Sequence, residues 1–132
     1  MIVGLGTDLV RVSRIEELYE KHPERFLDRI LTIQERSKFD TMNKIQGLKF
    51  LAKRFAAKEA FVKSIGTGFN EHVHLKDIAI SNDKKGKPYY EIPEKLHQYI
   101  QKTLGITKYS INLSITDDRE YANAIAIIEK IS

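Results

Sequence analysis

Residues 44–65 read KIQGLKFLAKRFAAKEAFVKSI, and this stretch decides the fold. Its apolar residues recur at spacings of three and four, which places on one helical face Leu48, Leu51, Ala52, Phe55, Val62 and Ile65. The glycines of Gly66-Thr67-Gly68 follow directly, and glycine favours the left-handed conformation that ends many helices. The sequence therefore predicts one long helix over 44–65 with an apolar stripe directed at the core.

Two capping-box signatures lie before this helix. Ser13 precedes Glu16 by three residues, and Thr32 precedes Glu35 by the same distance. In this spacing each side chain bonds the other residue's backbone N–H at a helix start. We therefore predict a short helix beginning directly after Ser13 and a second one after Thr32, which ends at about Thr41.

The rest of the chain alternates apolar runs with turn residues. The patterns predict strands over 2–10, 77–81, 89–92, 109–116 and 121–129, and a helix over 93–104 that Pro93 opens and Gly105 ends. The last two strands form an antiparallel hairpin. Together these elements predict an α+β fold in which a small, mostly antiparallel sheet packs on the long helix, and 132 residues fit one domain over 1–132.

The composition limits the partners and the cellular environment. Lysine and arginine total 22 against 18 acidic residues, and the resulting net charge of +4 favours an anionic partner. Nucleic acid, a membrane surface, a phosphate-bearing small molecule and an acidic protein all remain open. No apolar run approaches the roughly 20 residues of a membrane span, and MIVGLGTDLV lacks the basic start of a signal peptide. With no cysteine for disulfides, a cytoplasmic location is the default expectation.

Two acidic residues occupy apolar positions. Asp8 lies inside the first predicted strand, and Glu59 lies within the core-facing stripe of the long helix. A partly buried carboxylate is costly unless a cation or hydrogen bonds compensate it. Two such groups indicate a shared cation, and oxygen ligands without cysteine favour Mg²⁺. An alternative for Asp8 is an Asx turn that ends the strand.

Lys63 and the Gly-Thr-Gly turn extend this cluster. Lys63 lies four residues after Glu59 and precedes Gly66 and Thr67. A metal and a lysine beside a glycine turn suit phosphoryl-group chemistry, since both neutralise a leaving phosphate. The simpler alternatives are a Glu–Lys helix pair worth about 0.2–0.5 kcal/mol and a plain helix stop. The histidines show no spacing that indicates zinc, and no Walker, dinucleotide or G-x-S-x-G motif is present.

Several blocks carry a resemblance to a known family: Gly4–Val10, Arg54–Lys63, Gly66–Gly68, Gly86–Pro88 and Leu113–Thr116. In order and spacing they resemble bacterial holo-acyl-carrier-protein synthases, the single-unit type of the 4'-phosphopantetheinyl transferase fold, over essentially the whole chain. The resemblance implies that Mg²⁺-dependent transfer moves 4'-phosphopantetheine from coenzyme A to a serine of acidic apo-acyl carrier protein, a step of fatty acid biosynthesis. It also implies a homotrimer with active sites between subunits.

The resemblance assigns roles to the residues of the cluster. Asp8 and Glu59 match the magnesium ligands, and Lys63 matches the lysine beside the coenzyme A pyrophosphate, next to the turn of Gly66 and Thr67. The serine hydroxyl attacks the β-phosphorus in line and adenosine 3',5'-bisphosphate leaves. Glu59 and a metal-bound water both remain open as the base that takes the serine proton.

Further matches concern the far end of coenzyme A. Gly86, Lys87 and Pro88 match a loop near its adenosine end, and Lys58 and Arg54 are expected to add positive potential. One departure is Asp117, which stands where relatives often have histidine. An aspartate repels phosphate, so we expect a neighbouring basic side chain to replace that contact.

A surface for the carrier protein is predicted on the first helical region. In the family this region docks the carrier, and Arg14, Arg25 and Arg29 carry charge that suits an acidic partner helix. Phe26 or Ile30 would anchor that helix. The alternative is that Phe26 and Ile30 are simply core residues and the arginines are solvated.

Two other functions compete with this interpretation. The first is a basic α+β module that binds RNA or an acidic protein without chemistry, but an RNA-stacking aromatic pattern is absent and Asp8 and Glu59 stay unexplained. The second is a broader-range transferase acting on synthetase carrier domains. Such enzymes resemble two fused copies of this unit, whereas this chain has the length of one.

Overall fold

Four consecutive helices follow the first strand, and then two pairs of strands flank one further helix. The computed structural model describes residues 1–68, 70 and 72–131. In chain order the elements are β1 (Ile2–Arg11), α1 (Val12–Lys21), α2 (Pro23–Ile30), α3 (Ile33–Phe39), α4 (Lys44–Ile65), β2 (Ala79–Asn82), β3 (Pro88–Glu91), α5 (Glu94–Leu104), β4 (Tyr109–Asp117) and β5 (Tyr121–Lys130), with a 3₁₀ turn Leu75–Asp77 before β2. The predicted domain end, Ser132, lies outside the described residues.

Helix α4 has the bounds that the sequence predicts. Asn43 and Gln46 form a capping box at its start, and Gly66 ends it in the left-handed conformation with φ 87°. The expectation of a single apolar stripe is wrong, because Ala56, Ala57 and Phe61 outside it are buried, whereas Leu48 and Phe55 within it are only half-buried. A helix that is covered on most sides is a central core element, and the other elements of the fold pack around α4.

Antiparallel pairing joins all the named strands, as predicted, but they form two sheets. One sheet has the order β1-β5-β4 and the other is the β2-β3 hairpin. The first sheet packs on α4, and the Tyr90 ring of the hairpin packs at a tilt against Phe61 of α4, with ring centroids 5.0 Å apart. Thus the α+β class and the sheet-on-helix arrangement are confirmed.

Glycines in β1 permit a close approach between this strand and α4. A Cβ atom at Gly6 would lie 2.0 Å from the carbonyl oxygen of Ala60, and one at Gly4 would lie 2.3 Å from that of Ser64. Both distances are far below van der Waals contact, so only glycine fits. The backbone of β1 therefore lies directly against the turn of α4 that carries Glu59 and Lys63.

Three local predictions need correction. The capping box at Ser13 is wrong: β1 continues to Arg11, the Val12 N–H donates to the Glu120 carbonyl at 2.7 Å, and α1 begins without a side-chain cap. Helix α2 is missing from the sequence prediction, although Pro23 stands at its first turn. The strand predicted from residue 77 starts at Ala79, because Leu75–Asp77 form the 3₁₀ turn.

The outer face of the large sheet carries exposed apolar residues. Leu5 and Leu9 of β1 are 62% and 64% exposed, and Ile125 of β5 is 39% exposed. The register Thr7↔Ile125 places these three side chains close together on the face opposite α4. Among the described residues, no helix has the length and apolar character that crossing a membrane requires.

Candidate active site

The site is built from the middle of β1 and the last turns of α4. Lys63 reaches across from the helix and its Nζ donates to Asp8 Oδ1 and to the Thr7 carbonyl, both at 3.0 Å. The Asp8 side chain is 14% exposed and that of Lys63 is 53% exposed. Strand β1 continues three residues past Asp8, so the Asx-turn alternative is wrong.

Glu59 lies one turn before Lys63 on α4 and is half-buried. Burial raises the pKa of Glu59, and the nearby Asp8 carboxylate raises it further, whereas Lys63, Arg14 and Arg29 act in the opposite direction. Strand β1 lies directly against the turn of α4 that carries Glu59, so the Asp8 carboxylate acts on Glu59 across the β1–α4 contact. The two carboxylates that sequence analysis singles out are therefore neighbours.

The donor set fits a hard divalent cation. The ammonium of Lys63 already neutralises Asp8, which shows that a positive charge is accommodated at this carboxylate. No cluster of three or more His, Cys, Asp or Glu side chains suited to a metal occurs within residues 1–68, 70 and 72–131. Two carboxylates are nevertheless a common protein contribution to Mg²⁺, whose other ligands are waters and substrate phosphates.

A cavity of about 1080 Å³ opens beside Glu59. This Glu59 cavity is lined by Leu18, Arg25, Phe26, Asp28, Arg29, Ile30, Phe55, Glu59, Asn70, Val73, His74, Leu75 and Lys76. Three residues predicted for partner binding, Arg25, Phe26 and Arg29, thus share one cavity with Glu59. Ile30 is 1% exposed, which makes it a core residue and its predicted anchoring role wrong.

Gly86 and Pro88, two of the three loop residues predicted for the adenosine end, line a separate cavity of about 570 Å³, whose lining does not include Lys87. This lysine cavity is lined by Lys38, Met42, Gln46, Lys49, Phe50, Lys53, Arg54, Asn82, Gly86, Pro88, Ile115 and Asp117. Lys87 is exposed, and its backbone N–H donates to Asp83 Oδ1 at 2.9 Å within the β2–β3 turn. Lys49 and Lys53 are not among the predicted site residues, although their spacing of four residues places them on one face of α4.

Comparison with known proteins identifies the family. The sequence model of the 4'-phosphopantetheinyl transferase superfamily matches residues 4–126. The chain is 46% identical over 130 residues to the holo-[acyl-carrier-protein] synthase of Nitrosospira multiformis, which covers 98% of this chain and 100% of the relative. The chain belongs to the 4'-phosphopantetheinyl transferase superfamily.

Solved structures of such transferases share the fold over the full length. The crystal structure of the holo-[acyl-carrier-protein] synthase from Neisseria meningitidis superimposes with a TM-score of 0.87 at 38% identity, covering 98% of this chain and 100% of that one. The synthase from Bacillus anthracis, solved in complex with CoA (3',5'-ADP), has a TM-score of 0.81 at 35% identity, with 99% of both chains covered. The two-sheet arrangement around α4 is therefore that of the transferase family.

The Gly66-Thr67-Gly68 turn of this transferase is hydrogen-bonded to α5. Gly66 caps α4, and the Thr67 Oγ1 accepts a hydrogen bond from the Tyr99 hydroxyl at 3.0 Å. The Tyr99 hydroxyl also accepts from the Asn70 Nδ2 at 3.0 Å. Tyr99 escaped sequence analysis because nothing in its local pattern indicates a partner some 30 residues earlier. The hydrogen bonds to Tyr99 fix the position of the turn that follows Lys63.

Two basic residues of the transferase motif have a different environment from the one expected. Lys58 is fully buried, and its Nζ donates to Glu35 Oε1 and to the Ile30 carbonyl, both at 2.6 Å. Arg54 lies 3.4 Å from Glu35 Oε2, and burial lowers its pKa. The expectation that Lys58 adds positive potential to the cofactor site is wrong, since Glu35 neutralises it inside the core. Arg54 also reaches the lysine cavity.

Proposed function

We propose that this chain catalyses the holo-acyl-carrier-protein synthase reaction. It transfers 4'-phosphopantetheine from coenzyme A to a serine of apo-acyl carrier protein and releases adenosine 3',5'-bisphosphate. The observation that carries the proposal is the contact of Asp8 with Lys63 beside Glu59, at the edge of a cavity lined by arginines. Relatives over the full length are holo-acyl-carrier-protein synthases, and one was solved with CoA (3',5'-ADP).

In this proposal Asp8 and Glu59 hold Mg²⁺. When bound, the ion neutralises negative charge on the diphosphate of coenzyme A. Lys63 supplies a second positive charge next to the same phosphates, and the Gly66-Thr67 turn, held by Tyr99, borders them. The turn is effective because, held by Tyr99, it needs no rearrangement when charge develops on the departing group.

Glu59 takes the proton from the attacking serine. The serine oxygen forms a bond to the β-phosphorus, the bond from that phosphorus to the bridging oxygen breaks, and Lys63 neutralises the departing bisphosphate. Glu59 suits the task because it lines the cavity beside the proposed carrier-docking surface.

The acidic carrier protein docks on α1 and α2. Arg25 and Arg29 of α2 are exposed at the rim of the Glu59 cavity, and Phe26 is half-buried in its wall. Arg14 of α1 is exposed and close enough to Glu59 to influence its pKa. A carrier helix bound by these arginines would place its serine next to Glu59, since charge complementarity steers association and fixes orientation.

The nucleotide end of coenzyme A occupies the lysine cavity of a neighbouring subunit. Lys49, Lys53 and Arg54 give this cavity the charge that a phosphate needs, and they stand near Asp117, where relatives often have histidine. Because the lysine cavity and the Glu59 cavity are separate within one chain, a homotrimer with sites between subunits would join them. The exposed Leu5 and Leu9 support self-association through the large sheet. Sedimentation of a fully active monomer would contradict this assembly.

The proposed reaction also indicates where the protein acts and which pathway it serves. We place the chain in the cytoplasm as one transferase domain over residues 1–132 that serves fatty acid synthesis. A non-catalytic module that binds RNA or an acidic protein is not favoured, because such a module gives no role to the Asp8–Lys63–Glu59 group.

The deciding experiment combines the protein with apo-acyl carrier protein, coenzyme A and Mg²⁺ and weighs the carrier by mass spectrometry. We expect the carrier to gain one phosphopantetheine, and chelation of Mg²⁺ or the change Asp8→Asn or Glu59→Gln to abolish the gain. Asp77→Asn is the matched control, because Asp77 is also a partly buried aspartate paired with a lysine, Lys95, at 3.5 Å. Normal turnover by Asp8→Asn would refute the assignment.

A further inference from the structure

Asp8 and Lys63 form an ion pair that bears on how the proposed metal site is loaded. We propose that Lys63 holds the place of the divalent cation at Asp8 in the metal-free protein and releases this carboxylate when the cation binds. The inference rests on the proposed function, because it concerns the same two carboxylates. It adds that metal entry changes the position of the lysine ammonium, so that the metal and the anionic substrate bind in a coupled way.

The burial of Asp8 requires a positive partner. Its side chain is only 14% exposed, and its backbone is fixed within β1, where Asn123 Nδ2 donates to the Asp8 carbonyl at 3.0 Å. An ionised carboxylate at such a position is costly when it is unpaired. The Lys63 ammonium, 3.0 Å from Asp8 Oδ1, supplies the compensating charge when no metal is present.

The Lys63 ammonium also hinders the binding of a metal ion to Asp8. Mg²⁺ binds a carboxylate oxygen at about 2.0–2.1 Å. The Nζ of Lys63 lies 3.0 Å from Asp8 Oδ1, so it borders the position that such an ion would take. Two positive charges at one carboxylate repel each other, and the repulsion is screened less at a partly buried site than in water. Lys63 and the cation therefore compete for Asp8.

The exposure of the Lys63 side chain allows it to move. Its side chain is 53% exposed, so the ammonium exchanges Asp8 for solvent or for an anion without unfolding its surroundings. The second bond of Nζ, to the Thr7 carbonyl at 3.0 Å, involves a backbone group that does not depend on the metal. This bond keeps the released ammonium beside the cluster, where it meets the phosphate that arrives with the cation.

The test measures metal binding in the absence of coenzyme A, with Mn²⁺ as an EPR-visible probe that prefers oxygen ligands like Mg²⁺. Lys63→Met should tighten Mn²⁺ binding by about fivefold, the value of an ion pair of about 1 kcal/mol. Lys63→Arg keeps the competing charge and should stay near wild type. Lys95→Met removes a lysine from the Asp77 pair and should leave the affinity unchanged.

A second measurement follows the lysine itself. In protein with ¹³C-labelled lysine, addition of Mg²⁺ should shift the ε-carbon resonance of Lys63 in the wild type. In Asp8→Asn, where the neutral amide binds neither partner strongly, the same addition should leave this resonance unmoved. The Lys95 resonance serves as the internal control in both proteins.

The outcomes separate the two proposals. If the wild type binds Mn²⁺, Asp8→Asn loses it, and Lys63→Met binds no more tightly than wild type, the competition is wrong while the metal site stands. The competition is also wrong if the Lys63 resonance does not respond to Mg²⁺. If the wild type binds no Mn²⁺ at all, both the competition and the proposed metal site fail.

Discussion

A methyl group at Gly6 is the smallest change that separates β1 from α4. The Cβ of Gly6→Ala would meet the Ala60 carbonyl oxygen at 2.0 Å and the Ser64 backbone nitrogen at 2.6 Å. Both are atoms of a helix backbone and neither has a rotamer through which it can yield. The gap must therefore widen from 2.0 Å to the 3.4 Å of ordinary contact by movement of the strand or the helix.

The size of this movement sets the expected loss of stability and activity. Overpacking in a well-packed core costs about 1–3 kcal/mol, and a clash with backbone belongs at the upper end. At about 4 °C per kcal/mol for a chain of this size, the melting temperature should fall by about 12 °C. Asp8 lies two residues further along β1, and a displacement of about 1 Å at a reacting centre can cost about 100-fold in rate.

The assay is thermal unfolding together with carrier-protein modification at 20 °C, where Gly6→Ala should still be folded. Gly105→Ala is the matched control: Gly105 has a positive φ of 66° but nothing within 4 Å of an added Cβ. It should lose about 1–2 kcal/mol from backbone strain and keep its turnover. If Gly6→Ala melts within 2 °C of wild type and turns over normally, the close approach does not position the site.

Two further substitutions address the core and the partner surface. Glu35→Ala should lower the free energy of unfolding in urea by about 3–5 kcal/mol, because it leaves Lys58 and Arg54 buried without their counter-ion. Adding Lys58→Met should recover part of this loss, and the account fails if the double variant is less stable than the single one. Arg14→Ala should raise KM for acyl carrier protein while leaving KM for coenzyme A unchanged. A raised KM for coenzyme A instead would move Arg14 from the partner surface to the cofactor site.

Local signals in the sequence were enough for most of the elements. The apolar spacing between Lys44 and Ile65 and the glycine after it gave α4 its observed bounds, and Thr32 with Glu35 forms the predicted capping box. Such signals act over three or four residues, so they survive in the tertiary structure. Ser13 had the same local pattern, but the pairing of Val12 with Glu120, more than a hundred residues later, displaced it.

For the candidate site, too, local signals in the sequence marked some residues but not their partners. Misplaced charge marked Asp8 and Glu59 in the sequence, because an acid in an apolar pattern needs a partner wherever that partner comes from. The identity of the partner was not local. Lys63 has the helix spacing for a pair with Glu59, yet it forms an ion pair with Asp8, across the contact that Gly4 and Gly6 permit.

The sequence by itself determined most of the helix and strand pattern, the family and the two acids in apolar positions, since these depend on neighbouring side chains and on motif order. Only the tertiary structure decided that Lys58 is neutralised in the core by Glu35 and that Glu59 shares a cavity with Arg25 and Arg29. The physical reason is that periodicity shows which face of a helix is buried, but not which distant element covers that face or which charge it brings.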